Sequence, residues 1–334
     1  MKILIIRFSS IGDIVLTTPV VRCIKQQLPD VELHYLTKFS FHQVIASNPY
    51  IDRFFYLQDN WDILMHELKE QEYDFIIDLH HNLRTARIKR ALKVNAASFP
   101  KLNVEKWLYV HFKINFLPSK HIVDRYFETA KLWGIKNDGR GLDYFIPETE
   151  VVQPKDLPYA HSAGFIAVVI GAAHATKRMP VDLLTKLCQR IQHPLVLLGG
   201  SDDRKAGEEI TSADPIKIYN ACGKFSLNES ADIIRQSKLV ITHDTGLMHM
   251  AAAFKKSIIS IWGNTVPAFG MTPYYGNQSV PTVAFEVNGL NCRPCSKIGH
   301  EACPKKHFKC MRHQDIEAIA QLAEEWAASK RIRI

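Results

Sequence analysis

Short, almost wholly apolar runs alternate with helix-patterned stretches along most of the chain, and this alternation restricts the fold more than any other feature. Ile3–Ile6, Val31–Leu36, Arg53–Leu57, Phe75–Leu79 and Val94–Ser98 read as strands. Between them, Asp13–Leu28, Trp61–Lys69 and Leu83–Leu92 read as helices. A run that is apolar throughout is buried on both faces, as in a parallel sheet covered by crossover helices. Pro19 interrupts the first helical pattern and predicts a kink or the true helix start. A second series has strands at Gly164–Ile170, Pro194–Gly199, Lys217–Asn220, Leu239–Thr242 and Ile258–Trp262. Helices at Val181–Gln189, Asp203–Ile210, Leu227–Gln236 and Gly246–Ala253 separate them. A last helix has an apolar face at Ile316, Ile319, Ala323 and Trp326.

The stretch Asp143–Ser162 holds Pro147, Pro154 and Pro158 and has little periodicity, so it reads as a linker. A length of 334 residues suits two domains. The expected division is 1–150, a linker at 151–162, a second domain at 163–312 with a cysteine-rich segment at 292–310, and a C-terminal helix at 313–334. The fold class is α/β: two Rossmann-like doubly wound domains facing a central cleft, with ligands at the carboxyl ends of the strands. Neither G-x-G-x-x-G nor G-x-x-x-x-G-K followed by Ser or Thr occurs, which removes the dinucleotide fingerprint and the P-loop. The longest apolar run, around Phe165–Ala173, falls short of the roughly 18–20 residues of a spanning helix. The apolar N-terminal run stops at Arg7, against a signal peptide. A cytoplasmic protein with reduced thiols is expected.

Four turns after strands could carry chemistry. Ser9-Ser10-Ile11-Gly12-Asp13 places a carboxylate in the first turn of a helix, with Gly12 expected to allow a tight turn. Asp13 there is either a functional acid or a helix N-terminal acid capped by Ser9 or Ser10. His243-Asp244-Thr245-Gly246-Leu247-Met248-His249 opens a helix whose free N–H groups suit a diphosphate, or are merely capped by Asp244 or Thr245. Gly171–Pro180 contains Thr176, Lys177 and Arg178, fit for phosphate oxygens or for a solvated basic turn. In Gly199-Gly200-Ser201-Asp202-Asp203 an acid after a strand could hold ribose hydroxyls or cap the next helix.

Together these turns resemble glycosyltransferase family 9, the ADP-heptose:lipopolysaccharide heptosyltransferases. Ser10-Ile11-Gly12-Asp13 and Asp244-Thr245-Gly246-Leu247-Met248-His249 are the most specific pieces. The resemblance implies the GT-B architecture and a donor of ADP-heptose or a similar nucleotide-sugar. It also implies an anionic glycolipid acceptor, lipid A with inner core, at the inner face of the cytoplasmic membrane. Asp13 matches the family's catalytic base, and Lys177 its diphosphate-binding lysine. Asp244, Thr245 and Gly246 match its nucleotide-sugar loop, His249 the histidine that follows, and Asp202 falls near the ribose acid. Thr176 is the one hydroxyl left in a turn that is hydroxyl-rich in other members. The implied reaction is an inverting transfer that requires no cofactor. Transfer of another nucleotide-activated sugar, or nucleotide-sugar binding without transfer, are the alternatives.

The charge is localised. The net +8 lies in residues 84–120, which hold nine Lys/Arg and one acid, Glu105; elsewhere 33 basic residues balance 33 acidic ones. Arg84, Arg87 and Arg90 are candidate acceptor contacts. Lys106–Leu117 interleaves aromatics with cations. It is either a surface for an anionic glycolipid at a membrane, or Trp107, Phe112 and Phe116 are core beneath a solvated lysine face. Nothing else resembles a nucleic-acid module. Cys292, Cys295, Cys303 and Cys310 lie within 19 residues, and structural zinc competes with free thiols or an oxidised pair. Cys23, Cys188 and Cys222 read as small apolar fillers.

Overall fold

The structure is a computed structural model and describes residues 1–57 and 59–329. Its elements follow the alternation closely. The strands are β1 (Lys2–Ile6), β2 (Glu32–Lys38), β3 (Arg53–Leu57), β4 (Phe75–Asp78), β5 (Asn95–Ser98), β6 (Ile166–Val169), β7 (Leu195–Leu198), β8 (Ile218–Asn220), β9 (Leu239–His243), β10 (Ser257–Trp262) and β11 (Thr282–Glu286). The helices are α1 (Ile11–Val15), α2 (Thr18–Gln27), α3 (Trp61–Lys69), α4 (Leu83–Leu92), α5 (Asn103–Phe112), α6 (Ile122–Phe127), α7 (Val181–Arg190), α8 (Arg204–Thr211), α9 (Leu227–Gln236), α10 (Gly246–Ala253), α11 (Lys309–Arg312) and α12 (Ile316–Ala328). The helix expected over Asp13–Leu28 is two: α2 starts with Pro19 in its first turn, where the missing N–H costs nothing. The expected C-terminal helix is α12, and residues 330–334 of that segment lie outside the described residues.

The chain forms two compact units. The first comprises Met1–Leu102, Lys120–Phe145 and Tyr274–Gln278. Its sheet is parallel, in the order β3-β2-β1-β4-β5. Ile3, Leu4, Ile5 and Ile6 are fully buried at its centre. The second comprises Asn103–Ser119, Ile146–Pro273 and Ser279–Ile334. Its sheet is also parallel, in the order β11-β10-β9-β6-β7-β8. A core of Ile166, Val168, Leu184, Leu187, Leu195, Leu197 and Ile241 fills it.

A single break near residue 150 is therefore replaced by an exchange of segments. Residues 103–119 belong with the second unit because Lys113 Nζ bonds the carbonyls of Cys292 (3.4 Å) and Pro294 (2.7 Å), and the Tyr109 ring meets Phe269. Residues 274–278 belong with the first because Asn277 N donates to Gly139 O (2.7 Å) and Asn137 Nδ2 to Tyr274 Oη (2.6 Å). The proline-rich stretch holds three short 3-10 turns, at 148–150, 154–156 and 159–161.

Among the described residues no helix is long and apolar enough to cross a membrane. Cys23, Cys188 and Cys222 are fully buried, and burial pushes the thiols of Cys188 and Cys222 up to about 12.

Candidate functional site

In the first unit the chemistry gathers where β1 ends. Arg7 to Ser10 carry the chain into α1, and Ser10 is its N-cap. Asp13, three residues on, closes a capping box. Its Oδ2 accepts from the Ser10 amide (3.2 Å) and hydroxyl (2.7 Å), and its Oδ1 lies 2.6 Å from Arg7 Nη2. The carboxylate keeps 19% exposure while Arg7 keeps 8%. Asp13 thus caps the helix, and its carboxylate is held on both oxygens while remaining partly exposed. Gly12 lies inside α1 and has no left-handed φ, so the expected tight turn is absent.

In the second unit the carboxyl ends of neighbouring strands bring the expected donor residues together. Lys177, after β6, lies 2.6 Å from Asp244 Oδ2, after β9. Thr265 Oγ1 donates to the same oxygen at 3.0 Å. Thr245 is the N-cap of α10, and Gly246 its first residue. Behind them His243 accepts from the Met179 amide at Nε2 (3.0 Å). Burial first, and Arg178 second, push the His243 imidazole down to about 4, so it is neutral at ordinary pH. His249 is buried within α10, at 1% exposure. Asp202 is exposed after β7, whereas the adjacent Asp203 caps the Gly200 amide (2.9 Å) and pairs with Arg178 (3.5 Å).

Thr176 departs from the expected donor role. Its side chain is buried, accepts from His300 N (2.8 Å) and donates to His300 O (3.2 Å). The hydroxyl is spent on docking the cysteine-rich loop. Gly299 makes that docking possible: its φ is +130°, and a Cβ there would sit 2.4 Å from His174 Cβ.

In the cysteine-rich segment Cys292 Sγ lies 3.8 Å from His307 Nε2. All seven cysteines are free thiols, and among the described residues no group of three or more His, Cys, Asp or Glu is arranged to hold a metal ion. The loop is held by Lys113, by Cys295 N bonding Asn264 O (3.3 Å), and by Arg293 bonding the carbonyls of Gly263 and Thr265.

The basic segment splits between the units. Arg84, Arg87 and Arg90 are exposed at three-residue intervals on α4, in the first unit, and Arg87 lies 4.2 Å from the Trp61 ring centre. Lys89 is spent on buried Asp78 (2.8 Å). In the second unit Trp107, Phe112 and Phe116 are exposed by 51, 59 and 66%, so they are not core. A cavity of about 260 Å³ is lined by Tyr109, Val266, Glu286 and Arg293, and Val266 directly follows Thr265, whose hydroxyl donates to Asp244. Arg7 and Thr265 were not singled out in the sequence; a lone Arg after a strand and a Thr in a polar loop carry no local signature.

The model of glycosyltransferase family 9 (heptosyltransferase) matches residues 61–304. Lipopolysaccharide heptosyltransferase 1 of Campylobacter coli is 26% identical over 83% of this chain and 86% of that protein. A family 9 glycosyltransferase structure from Veillonella parvula superposes with a TM-score of 0.75 at 20% identity, covering 98% of this chain and 97% of that one. The Escherichia coli heptosyltransferase WaaC, solved with ADP, gives a TM-score of 0.66 at 19% identity over 98% of this chain and all (100%) of that one. The fold is GT-B. With a family model matching well over half of its length, the chain belongs to glycosyltransferase family 9.

Proposed function

We propose that this protein transfers a heptose from ADP-heptose to the inner core of lipopolysaccharide, with inversion at the anomeric carbon. The observation that carries the reading is the pairing of Lys177 with Asp244 at the N-terminal end of α10. An ammonium 16% exposed beside a helix start supplies fixed positive charge and free N–H groups for a leaving diphosphate. Asp244 holds that ammonium ready and is itself held by Thr265. Asp202 is offered to the ribose. No divalent metal is needed when the diphosphate charge is met in this way.

In the reaction, the acceptor hydroxyl oxygen bonds the anomeric carbon as the bond from that carbon to the phosphate oxygen breaks. The hydroxyl proton passes to Asp13 as general base, a contribution of about 10²–10⁴-fold for a placed base. ADP leaves with the electron pair of the broken bond. The acceptor is anionic, and Arg84, Arg87 and Arg90 meet its phosphates and acidic sugars. The exposed aromatics of residues 107–116, among lysines, rest on the surface of an anionic membrane.

The decisive experiment measures nucleoside diphosphate release from a panel of nucleotide-sugars, with extracted core glycolipid as acceptor. ADP-heptose should be the preferred donor, and release should depend on acceptor. Preference for a UDP- or GDP-sugar would assign another transfer, and tight donor binding without release under any condition would assign a binding protein.

A further inference from the structure

Asp13 sits in a cradle with two sides, of which the helix cap explains only one. Ser10 completes the capping box on Oδ2 through its amide and hydroxyl. The other oxygen is met by Arg7, whose guanidinium is itself immobilised. Its Nε donates to Ser9 O (2.8 Å), its Nη1 to Leu79 O, and it lies 6.0 Å from the Tyr126 ring centre. Burial opposes the charge of Arg7, and Asp13 first, with Tyr126 and Tyr35, more than offsets it, holding Arg7 above its ordinary value. Burying such an ion pair is a poor way to stabilise a fold, because desolvation consumes most of the attraction. A planar fork fixed at three points is, however, a good way to hold a carboxylate in one orientation.

Titratable groups that face Asp13 include Tyr35 on β2, Tyr126 on α6 and His80 after β4, and His80 is in turn coupled to Lys101 and Asp78. Burial pushes both tyrosines up, and it pushes His80 down to about 4. All three are neutral at ordinary pH, whereas Arg7 puts a fixed charge 2.6 Å from the carboxylate.

We propose that Arg7 is a positioning residue for the general base: it holds the Asp13 carboxylate ionised and in one rotamer, with its exposed edge toward the acceptor hydroxyl. This rests on the reading of Asp13 as base, and the experiment separates the two. Initial rates are measured across pH for Arg7→Met, Arg7→Lys and Asp13→Asn, with donor KM determined for each and folding checked by circular dichroism. Arg7→Met should lower kcat about 10–100-fold and move its acidic limb up by about one pH unit, since an opposite charge has been removed. Donor KM should stay within about threefold, because the donor residues belong to the other unit. Arg7→Lys keeps the charge without the fork, so the limb should stay near its wild-type position while kcat still falls about tenfold. If Arg7→Met does not fold, Arg7→Lys alone decides. A wild-type kcat in Arg7→Lys, or an unmoved limb and kcat in a folded Arg7→Met, overturns the role of Arg7. Activity surviving in Asp13→Asn overturns the base assignment; an inactive Asp13→Asn beside unaffected Arg7 variants overturns only the present inference.

Discussion

A buried histidine shows how a single residue ties the donor loops to pH. His243 links β9 to the loop before α7 through the Met179 amide, and burial holds it neutral, down to about 4. The unfolded chain takes up the same proton near the ordinary value of about 6.5. The stabilising contribution is therefore complete above about pH 6.5 and is lost as pH falls toward about 4, at about 1.4 kcal/mol per pH unit. Urea unfolding at pH 6.5 and pH 5 should differ by about 2 kcal/mol from this site, and His243→Gln should flatten that difference. An equally steep loss in the variant would place the titrating group elsewhere. Residue roles were legible where the partner is close in sequence. Asp13 and its cap at Ser10 lie three apart, and the Asp244–Gly246 turn is contiguous. The structural partner of Thr176 was not legible, because His300 lies 124 residues away. A hydroxyl beside a lysine looks like a phosphate ligand until tertiary structure claims it.

At the level of elements, α4 separates structural from available charge on one helix. Thr85 and Ile88 are its buried face, Lys89 neutralises Asp78, and Arg84, Arg87 and Arg90 point outward. Combining Arg84→Glu, Arg87→Glu and Arg90→Glu should raise the acceptor KM by about tenfold or more, while donor KM stays within about twofold. The stability cost should be small, about 0.5–1 kcal/mol from losing Arg87 over Trp61. Equal losses for donor and acceptor, or none, would return α4 to a solvated face. The elements themselves were largely readable: β3, α3, α4, α9 and α10 have the expected bounds. Their apolar periodicity is strong and bracketed by caps, such as Asn60 before α3 and Ser226 before α9. β11 and α5 were not anticipated. β11 is a half-exposed edge strand, and α5 buries no residue, so neither carries the periodic signal of a covered element.

At the scale of the whole molecule, the charge imbalance has a physical address. Residues 84–120 carry the net +8 of the sequence, and within them Val104, Trp107, Phe112, Ile114 and Phe116 are exposed. Apolar side chains among cations favour an anionic lipid surface, each basic residue adding about 1 kcal/mol near it. Sedimentation with vesicles containing anionic lipid should retain the protein at low salt. Combining Trp107→Ser, Phe112→Ser and Phe116→Ser should weaken retention about tenfold, with activity on a soluble truncated acceptor kept. Unchanged retention would remove this segment from membrane attachment. Two Rossmann-like units could be read from the alternation alone. The exchange of segments between them could not, because it rests on Lys113 with the 292–294 backbone and on Asn277 with Gly139.

That exchange sets an order of events during synthesis. The first unit ends its main run at Phe145 but takes in Tyr274–Gln278, so its last piece leaves the ribosome long after the rest. At about 5–20 residues per second the delay is on the order of ten seconds. An N-terminal half released early lacks the strand of chain that seats on Gly139, and a C-terminal half made separately lacks α5. Dividing the gene at the proline-rich stretch would thus yield two incomplete proteins rather than two domains.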